Sequence, residues 1–460
     1  MSRGFQRALI VILVAAVLIA AAIAWMRHLS PEDLTYVPKE AVMTPAVELL
    51  QQYVRIDTTN PPGNETAGAK FLIDYLKRNG VRAELIESAP GRGNVYARIR
   101  GRHPGGGLML MHHIDVVDAE PAGWRHPPFS AKVDLNMVYG RGTLDMKGIG
   151  ICQLLAFVDL ARSGRVPEHD VVYLAVADEE EGSAFGTQWL MEHRRDLFNG
   201  ISYALNEGGI TETLKESVTY FGVEIGSKQI VRLRVTANDR STLQKARIAL
   251  EPYFSPKDPE RILPEVAEYF HAVAPRRVEV PELYENLNQT VAMGKFWNLA
   301  SSYRALATTE MNVSGTHPAD NGGYAVDVTL LNMPDVRPDD AVARFRQIIN
   351  GFPVTVSVTS TMGPTAISST STPFFEDIRR SVAKVYGAEV AVGPLMLPYA
   401  TTDSRFLRSI GIQSYGLWPF PVDFFQSTGI HGKDERVRLD WFNQGVDLTI
   451  DLVRRYSLGQ

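Results

Sequence analysis

The stretch LMLMHHIDVVD, residues 108–118, decides the fold because an apolar run there ends abruptly in imidazole and carboxylate side chains. A continuous apolar run is typical of a strand that is covered on both faces of a sheet. Side chains alternate between the two faces of a strand, so His113 and Asp115 share one face while His112 lies on the other. We therefore predict a buried strand that ends at a functional site, with His112 in a structural role.

The segments around this strand alternate between helical and strand patterns. Apolar residues at i, i+3 and i+4 predict amphipathic helices such as the one over 46–56, and a second apolar run at 170–177 predicts another buried strand. A long helix is expected between them, over 148–164. Strands that alternate with helices predict an α/β layer with a largely parallel sheet.

The pattern changes at about residue 222, where apolar residues begin to alternate with charged ones. Such alternation predicts strands with one solvated face, as in a small α+β domain. The first pattern resumes after about residue 366. We therefore predict a main domain in two parts, 40–221 and 367–460, interrupted by an inserted α+β domain over 222–366.

The N-terminus carries an uncharged apolar segment at residues 8–26. Its length reaches the roughly 20 residues that a helix needs to span a bilayer. Arg3 and Arg7 precede it, which favours a cytoplasmic N-terminus. We predict a membrane anchor over 1–34 and an exported, extracytoplasmic or periplasmic body. The alternative is a signal peptide cleaved near Ala22 and Ala24, which would give a secreted protein.

Composition excludes several classes of protein. The net charge of −5 and the lack of any block rich in Lys or Arg argue against a nucleic-acid partner. Cys152 is the single cysteine, so the chain can form no internal disulfide and no thiolate cluster. A metal site in this chain must therefore use histidine and carboxylate ligands.

Four further motifs place acids or histidine at the ends of strands or in loops. They contain Asp145 in YGRGTLDMKG (139–148), Glu179 and Glu180 in LAVADEEEGS (174–183), Glu207 in YALNEGG (203–209) and His431 in STGIHGKDERV (427–437). Each has an ordinary explanation alone, such as a helix cap or a solvated acidic face. Together they predict a metal centre, because parallel sheets bind ligands at the carboxyl ends of their strands. Two histidines and three carboxylates suit zinc, with a bridging carboxylate if two ions are held.

The order of these motifs resembles the M20 family of zinc metallopeptidases. The segments NPPGNE (60–65), GWRHPPFSA (123–131) and TTDSRFLRSIGI (401–412) are also similar to that family. The resemblance covers nearly all of residues 40–458 except the inserted domain. It implies a di-zinc peptidase fold, in which a catalytic domain with a mostly parallel central sheet is interrupted by a domain of the lid or dimerisation type.

The resemblance also implies roles for individual residues. Two zinc ions would be held by a set of five ligands: His113, Asp145, Glu180, Glu207 and His431. Asp145 would bridge the ions, Glu179 would be the general acid and base, and Asp115 would orient His113. Some branches of the family carry aspartate where this chain has Asn206; because an amide oxygen is a poor zinc ligand, Glu207 is favoured.

The inserted domain departs from the family pattern. Family members carry a histidine in a Gly-His-Ser-type loop that helps to hold the oxyanion, and an arginine before Pro-Gly that takes the substrate carboxylate. The corresponding stretches here, VTANDRSTLQ (235–244) and VTLLNMPD (328–335), have neither residue in position. Arg405 is the predicted substitute for substrate binding, with Arg240 as the alternative.

These observations predict a zinc-dependent hydrolase that cleaves an amide bond at a peptide C-terminus or in an N-acyl amino acid. The expected partners are that substrate and the membrane, with a homodimer left open. The missing residues of the insert motivate an alternative, a metal-binding homologue without hydrolytic activity that acts as a scaffold. A related di-zinc aminopeptidase is a third alternative.

Overall fold

The computed structural model describes eight stretches of the chain: 42–214, 217–254, 259, 261–276, 280–319, 322–362, 366–422 and 429–460. The predicted membrane segment, residues 1–34, lies outside them. Within these stretches no helix is both long and apolar enough to cross a membrane.

A mixed sheet of nine strands forms the larger part of the fold, with the order β1-β2-β6-β3-β7-β16-β9-β15 and β8 paired to β9. Strands and helices are numbered along the chain. The strands of this sheet are β1 (Ala83–Ala89), β2 (Arg92–Ile99), β3 (His103–His113), β6 (His169–Val176), β7 (Ile201–Asn206), β8 (Ile210–Leu214), β9 (Ser217–Ser227), β15 (Ala391–Leu397) and β16 (Gln413–Gly416). Strand β3 lies in the parallel centre of the sheet, between β6 and β7. The predicted α/β class is confirmed.

Helices cover both faces of this sheet. They are α1 (Pro45–Val54), α2 (Glu65–Arg78), α3 (Lys147–Arg162), α4 (Thr187–His193), α11 (Pro373–Tyr386), α12 (Ser404–Ser409) and α13 (Leu439–Leu458). Helix α3 packs on one face of β3 and is buried around most of its circumference. On the opposite face Met109 and Met111 pack in one core with Leu190 of α4 and Leu407 of α12. Because helices cover both faces of the sheet, β3 and β6 carry apolar side chains at consecutive positions.

A second, antiparallel sheet forms the inserted domain, with the order β11-β13-β10-β14 and β12 paired to β13. Its elements are β10 (Gln229–Ala237), β11 (Glu310–Val313), β12 (His317–Pro318), β13 (Tyr324–Asn332), β14 (Thr355–Met362), and the helices α5 (Arg240–Phe254) and α10 (Pro338–Ile348). Alternate residues such as Val231, Leu233 and Val328 pack with Phe345 in one core. The alternation of the sequence thus reflects one covered and one polar face.

Part of the segment expected in the insert packs on the larger sheet instead. The segment contains α6 (Pro264–Val273), α7 (Glu282–Glu285), α8 (Leu287–Ala292) and α9 (Ser301–Arg304), with short 3-10 helices at Ala274–Arg276 and Phe296–Asn298. Of these, α6 contacts the larger sheet, and α7 and α8 pack on α6. Helix α6 packs on β15, and the Tyr269 hydroxyl donates to Glu212 Oε1 at 2.7 Å. Strand β9 also carries the larger sheet to Ser227, beyond the expected start of the insert at residue 222. Amphipathic spacing indicates that a helix buries one face, but not which sheet it covers.

Candidate metal centre

Three parallel strands end at the same edge of the larger sheet and deliver polar side chains there. His113 is the last residue of β3, the acidic residues 178–181 follow β6, and Glu207 follows β7. Asp145 comes from the loop before α3, and His431 from the loop before the short strand β17 (Arg436–Arg438). The five residues that the sequence predicts as ligands therefore come together. The ends of parallel strands bring His113, Glu180 and Glu207 to one edge of the sheet, and the two loops add Asp145 and His431.

The first group of ligand atoms belongs to His113, Asp145 and Glu207. His113 Nε2 lies 3.0 Å from Asp145 Oδ1 and 3.7 Å from Glu207 Oε1. One atom from each residue lies within 4.8 Å of the other two, which is close enough for one ion to contact all three. His113 and Glu207 are buried.

The second group belongs to Asp145, Glu180 and His431. His431 Nε2 lies 3.1 Å from Asp145 Oδ2 and 3.1 Å from Glu180 Oε2. Asp145 therefore offers one carboxylate oxygen to each group, which is the arrangement of a bridging ligand. His431 is half-exposed, so this group faces the solvent side of the site.

The electrostatics of the two groups favour a bound cation. Burial, followed by the charge of Asp145, raises the pKa of Glu207 to about 7. The same two causes raise the pKa of Glu180. Glu180 Oε1 is buried and has no hydrogen-bond partner among the described residues. Since buried carboxylates disfavour one another's ionised form, a divalent cation would relieve this repulsion and take the unpartnered oxygen. The nitrogen and oxygen donors therefore fit a divalent metal.

Asp115 connects His113 to the acidic loop that follows β6. The Nδ1 atom of His113 lies 2.9 Å from the backbone carbonyl oxygen of Asp115, and 3.5 Å from the carboxylate. The carbonyl can only accept, so Nδ1 carries the proton and Nε2 is free to act as a ligand. The Asp115 carboxylate instead accepts from the backbone N–H groups of Glu179 and Glu180, at 3.2 Å each. Asp115 thus orients the imidazole mainly through its backbone and the acidic loop through its side chain.

A buried network behind Asp115 was not found by sequence reasoning. Asn60 donates from Nδ2 to Asp115 Oδ2 and to Asp178 Oδ1, at 2.9 Å each. Arg92 pairs with the same Asp178 oxygen at 2.5 Å and with Glu65 at 2.7 Å. Asn60 and Glu65 belong to the NPPGNE motif, and the similarity of this motif to the family was the feature of the sequence that could have indicated their role. The Asp178 carboxylate is bound by Asn60 and Arg92 of this network, and in this respect Asp178 differs from Glu179 and Glu180, which follow it.

Asp403 immediately precedes α12, which contains Arg405, and it contacts the segment that follows the acidic loop. Asp403 accepts hydrogen bonds from the hydroxyls of Ser183 and Thr187, which both follow the acidic residues 178–181. Asp403 is also among the carboxylates that raise the pKa of Glu179, after burial and Glu207. The Arg405 residue is 4% exposed, and its guanidinium stacks on Phe406 at 4.3 Å. Its nearest acid is Asp403, 3.9 Å away, so within the described chain it keeps unused donors.

The positions of the missing insert residues are filled by contacts within the insert. At the end of β13, Asn332 donates to Gln229 Oε1 at 3.0 Å. Met333 Sδ accepts from Lys228 Nζ at 3.2 Å. Arg240, the alternative to Arg405, begins α5 and places its guanidinium over the Tyr324 ring at 4.9 Å. These side chains hold the insert together.

The sequence matches Peptidase family M20/M25/M40 over residues 109–455, which is most of the chain. The chain belongs to this family. It is 25% identical to aminoacylase-1 of Sus scrofa over 435 residues, covering 89% of this chain and 94% of that protein. This M20 chain is therefore a hydrolase of the metallopeptidase and amidohydrolase type. Each of the two residue groups that share Asp145 could hold a metal ion.

Solved M20 structures share the fold. An M20 metallo-carboxypeptidase from Sulfolobus solfataricus superimposes with a TM-score of 0.68 at 18% identity, covering 90% of this chain and 99% of that one. Human carnosine dipeptidase 1 gives a TM-score of 0.64 at 15% identity, with coverage of 89% and 95%. At such identities these likenesses concern the fold alone.

Proposed function

We propose that the chain is a dinuclear zinc hydrolase that cleaves the amide bond of an N-acyl amino acid or the C-terminal amide bond of a peptide. The observation that carries the proposal is the position of Asp145, whose two oxygens lie 3.0 and 3.1 Å from His113 Nε2 and His431 Nε2. The end-to-end similarity to aminoacylase-1 supports an N-acyl amino acid as the substrate.

The two groups of ligands divide the metal binding between them. His113, Asp145 and Glu207 would hold one zinc ion, while Asp145, Glu180 and His431 would hold the other. Imidazole nitrogen and carboxylate oxygen are ordinary zinc ligands. Zinc ions bound there would lower the pKa of a water molecule and polarise the scissile carbonyl.

Glu179 would move the proton. Its carboxylate takes a proton from the attacking water and returns it to the nitrogen of the leaving amine as the C–N bond breaks. Burial and the neighbouring Glu207 raise the pKa of Glu179, which helps its carboxyl group to hold the proton between the two steps. A positioned general base contributes roughly 10²- to 10⁴-fold to the rate.

Arg405 would bind the carboxylate of the substrate. A guanidinium offers two parallel N–H donors that match a carboxylate. Arg405 is nearly buried and adjoins Asp403, which anchors the acidic loop, so an anion held there would lie beside Glu179. This role replaces that of the arginine missing from residues 328–335.

The decisive experiment is a hydrolysis screen of N-acyl amino acids and dipeptides with the zinc-loaded protein, comparing wild type with Glu179→Gln. We expect turnover to fall by roughly 10²- to 10⁴-fold while zinc stays bound. Glu181→Gln is the matched control, because Glu181 is an exposed acid of the same loop. Its turnover should equal that of wild type.

Two outcomes would contradict the proposal. A wild-type protein with two zinc ions and no hydrolysis of any amide would favour the scaffold alternative, which the departures in residues 235–244 and 328–335 motivate. Loss of zinc together with turnover in Glu179→Gln would instead remove Glu179 from the role of general base.

The membrane anchor over 1–34 and the extracytoplasmic position of the catalytic body are further proposals. They rest on the apolar segment 8–26 and on the preceding Arg3 and Arg7. Protease treatment of cells from which any outer barrier has been removed, so that the outer face of the cytoplasmic membrane is accessible, should digest the body of the full chain. Protection of the body from protease would contradict export.

A further inference from the structure

Glu435 is a buried carboxylate next to the metal centre, and the proposed reaction gives it no part. It lies four residues after His431 and its side chain is inaccessible to solvent. Its Oε1 atom accepts from the backbone N–H groups of Leu144 at 2.7 Å and Asp145 at 3.1 Å. Its Oε2 atom accepts from the N–H of Gly142 at 3.0 Å and from Arg141 at 2.7 Å. Both oxygens are therefore fully used as acceptors.

These contacts join the two loops that carry Asp145 and His431. The loops are almost 300 residues apart in sequence, so local structure cannot fix their relative positions. Gly140 N–H donates to the Glu435 carbonyl oxygen at 2.8 Å, and Arg141 donates to the Gly432 carbonyl oxygen at 2.9 Å. Strand β17, which follows Glu435, pairs with β5 (Met137–Tyr139), so backbone hydrogen bonds also join the segments next to the two loops. Strand β5 pairs in turn with β4 (Lys132–Asp134).

The chemistry of the position requires a carboxylate. Burying a charged group is costly unless it is paired and hydrogen-bonded, and the four donors around Glu435 meet that condition. An amide at this position would turn an NH₂ group towards at least one of these donors. Either the backbone N–H groups of Leu144 and Asp145, or the N–H group of Gly142 and the guanidinium of Arg141, would then lose their acceptor, which leaves buried donors unsatisfied. Glu435 thus binds the backbone N–H of Asp145, the residue whose carboxylate is shared by the two groups of ligands.

We propose that Glu435 is a positioning residue that fixes Asp145 relative to His431 and thereby sets the metal affinity of the group formed by Asp145, Glu180 and His431. This inference rests on the proposed metal site. His431 and Glu435 share one loop, so a displaced Glu435 would disturb both Asp145 and His431 in that group. The group with His113 and Glu207 would be disturbed through Asp145 alone.

The test is a zinc titration of the metal-stripped protein, comparing wild type with Glu435→Gln and Glu435→Asp. His431→Ala identifies which binding step belongs to the group containing His431. We expect Glu435→Gln to weaken that step by roughly 10- to 100-fold, the usual effect of removing a partner that orients a metal ligand. Glu435→Asp keeps both acceptor oxygens and should recover part of the affinity.

Asp170→Asn is the matched control. The Asp170 carboxylate also accepts from a backbone N–H group, that of Gly101 at 2.6 Å, and from Arg98 at 2.6 Å. It lies at the start of β6, at the opposite end of the strand from the metal centre. Two binding steps with wild-type affinities are expected for this variant.

Unchanged zinc affinities in Glu435→Gln, or equal losses at both steps, would overturn the inference. If Glu435→Gln does not fold, Glu435→Asp decides: a weakened step for the His431 group supports the role, and wild-type affinities contradict it. A wild-type protein that binds no zinc would overturn the proposed function itself, which is a distinguishable result.

Discussion

His112 and His113 are adjacent in β3 and have opposite environments. His113 Nε2 lies 3.0 Å from Asp145 Oδ1 at the metal centre. The His112 ring packs instead beside Tyr53 and Tyr173, with ring centroids 6.5 and 5.4 Å away, on the face covered by α3. A β-carbon on Gly150 of that helix would lie 2.6 Å from His112 Cδ2, so glycine is needed for this close approach.

His112→Ala and His113→Ala should therefore separate stability from metal binding. His113→Ala removes a ligand and should lower the zinc content from two ions to one or none. His112→Ala leaves a cavity in the core and should lower the free energy of unfolding by about 2 kcal/mol or more, with both zinc ions retained. Metal analysis and urea denaturation of each variant measure the two effects. Zinc loss in His112→Ala alone would reverse the assignment.

The burial of His112 predicts a pH dependence of stability. Burial lowers the pKa of His112 from 6.5 to about 3. Below pH 6.5 the unfolded chain binds a proton at this residue while the folded chain does not, so the folded state loses stability as the pH falls from 6.5 towards 3. On going from pH 7.5 to 5.5, the titration of His112 should lower the free energy of unfolding of wild type by about 1.4 kcal/mol.

His112→Gln removes that titration. Relative to wild type, its free energy of unfolding should rise by about 1.4 kcal/mol on going from pH 7.5 to 5.5. Urea denaturation at both pH values, in the presence of a chelator, measures the difference, in which other titrating groups cancel. A difference that does not change with pH would show that folded His112 accepts a proton as readily as the unfolded chain.

Much of the candidate site could be predicted because the sequence places its residues at strand ends. His113 and Glu207 end or follow strands whose apolar pattern is unambiguous, and parallel strands bring their ends together. Residues whose partners lie far away in sequence were missed. Asn60 and Glu435 both lie in quoted motifs, yet nothing in their own surroundings reveals that they contact Asp115 and the backbone of Asp145.

The division between the two sheets was harder to predict for a related reason. The alternation of apolar and charged residues in β10 and β13 indicates one solvated face, so an inserted α+β domain was expected. The spacing of apolar residues in α6 indicates only that one face is buried, and the choice of β15 over the insert sheet depends on tertiary packing. Residues 264–273 therefore lie within the insert in sequence and on the larger sheet in space.

Arg405→Ala should raise the KM for substrates with a free carboxylate by roughly 10- to 100-fold, because a charge-assisted hydrogen bond contributes about 1.5–3 kcal/mol. The same substrate with its carboxylate converted to an amide should show no such increase. Steady-state kinetics on both substrates provide the measurement. Arg240→Ala is the control, since Arg240 packs on Tyr324. An increase in KM with Arg240→Ala, and none with Arg405→Ala, would indicate that Arg240 of the insert binds the substrate carboxylate instead.

The most direct test of the dinuclear site is a crystal structure of the zinc-loaded protein with anomalous scattering data collected at the zinc edge. We expect two anomalous peaks roughly 3.5–4 Å apart, the usual separation in two-metal sites. One peak should lie among His113, Asp145 and Glu207, and the other among Asp145, Glu180 and His431. A single peak, or two peaks that do not share Asp145, would contradict this expectation.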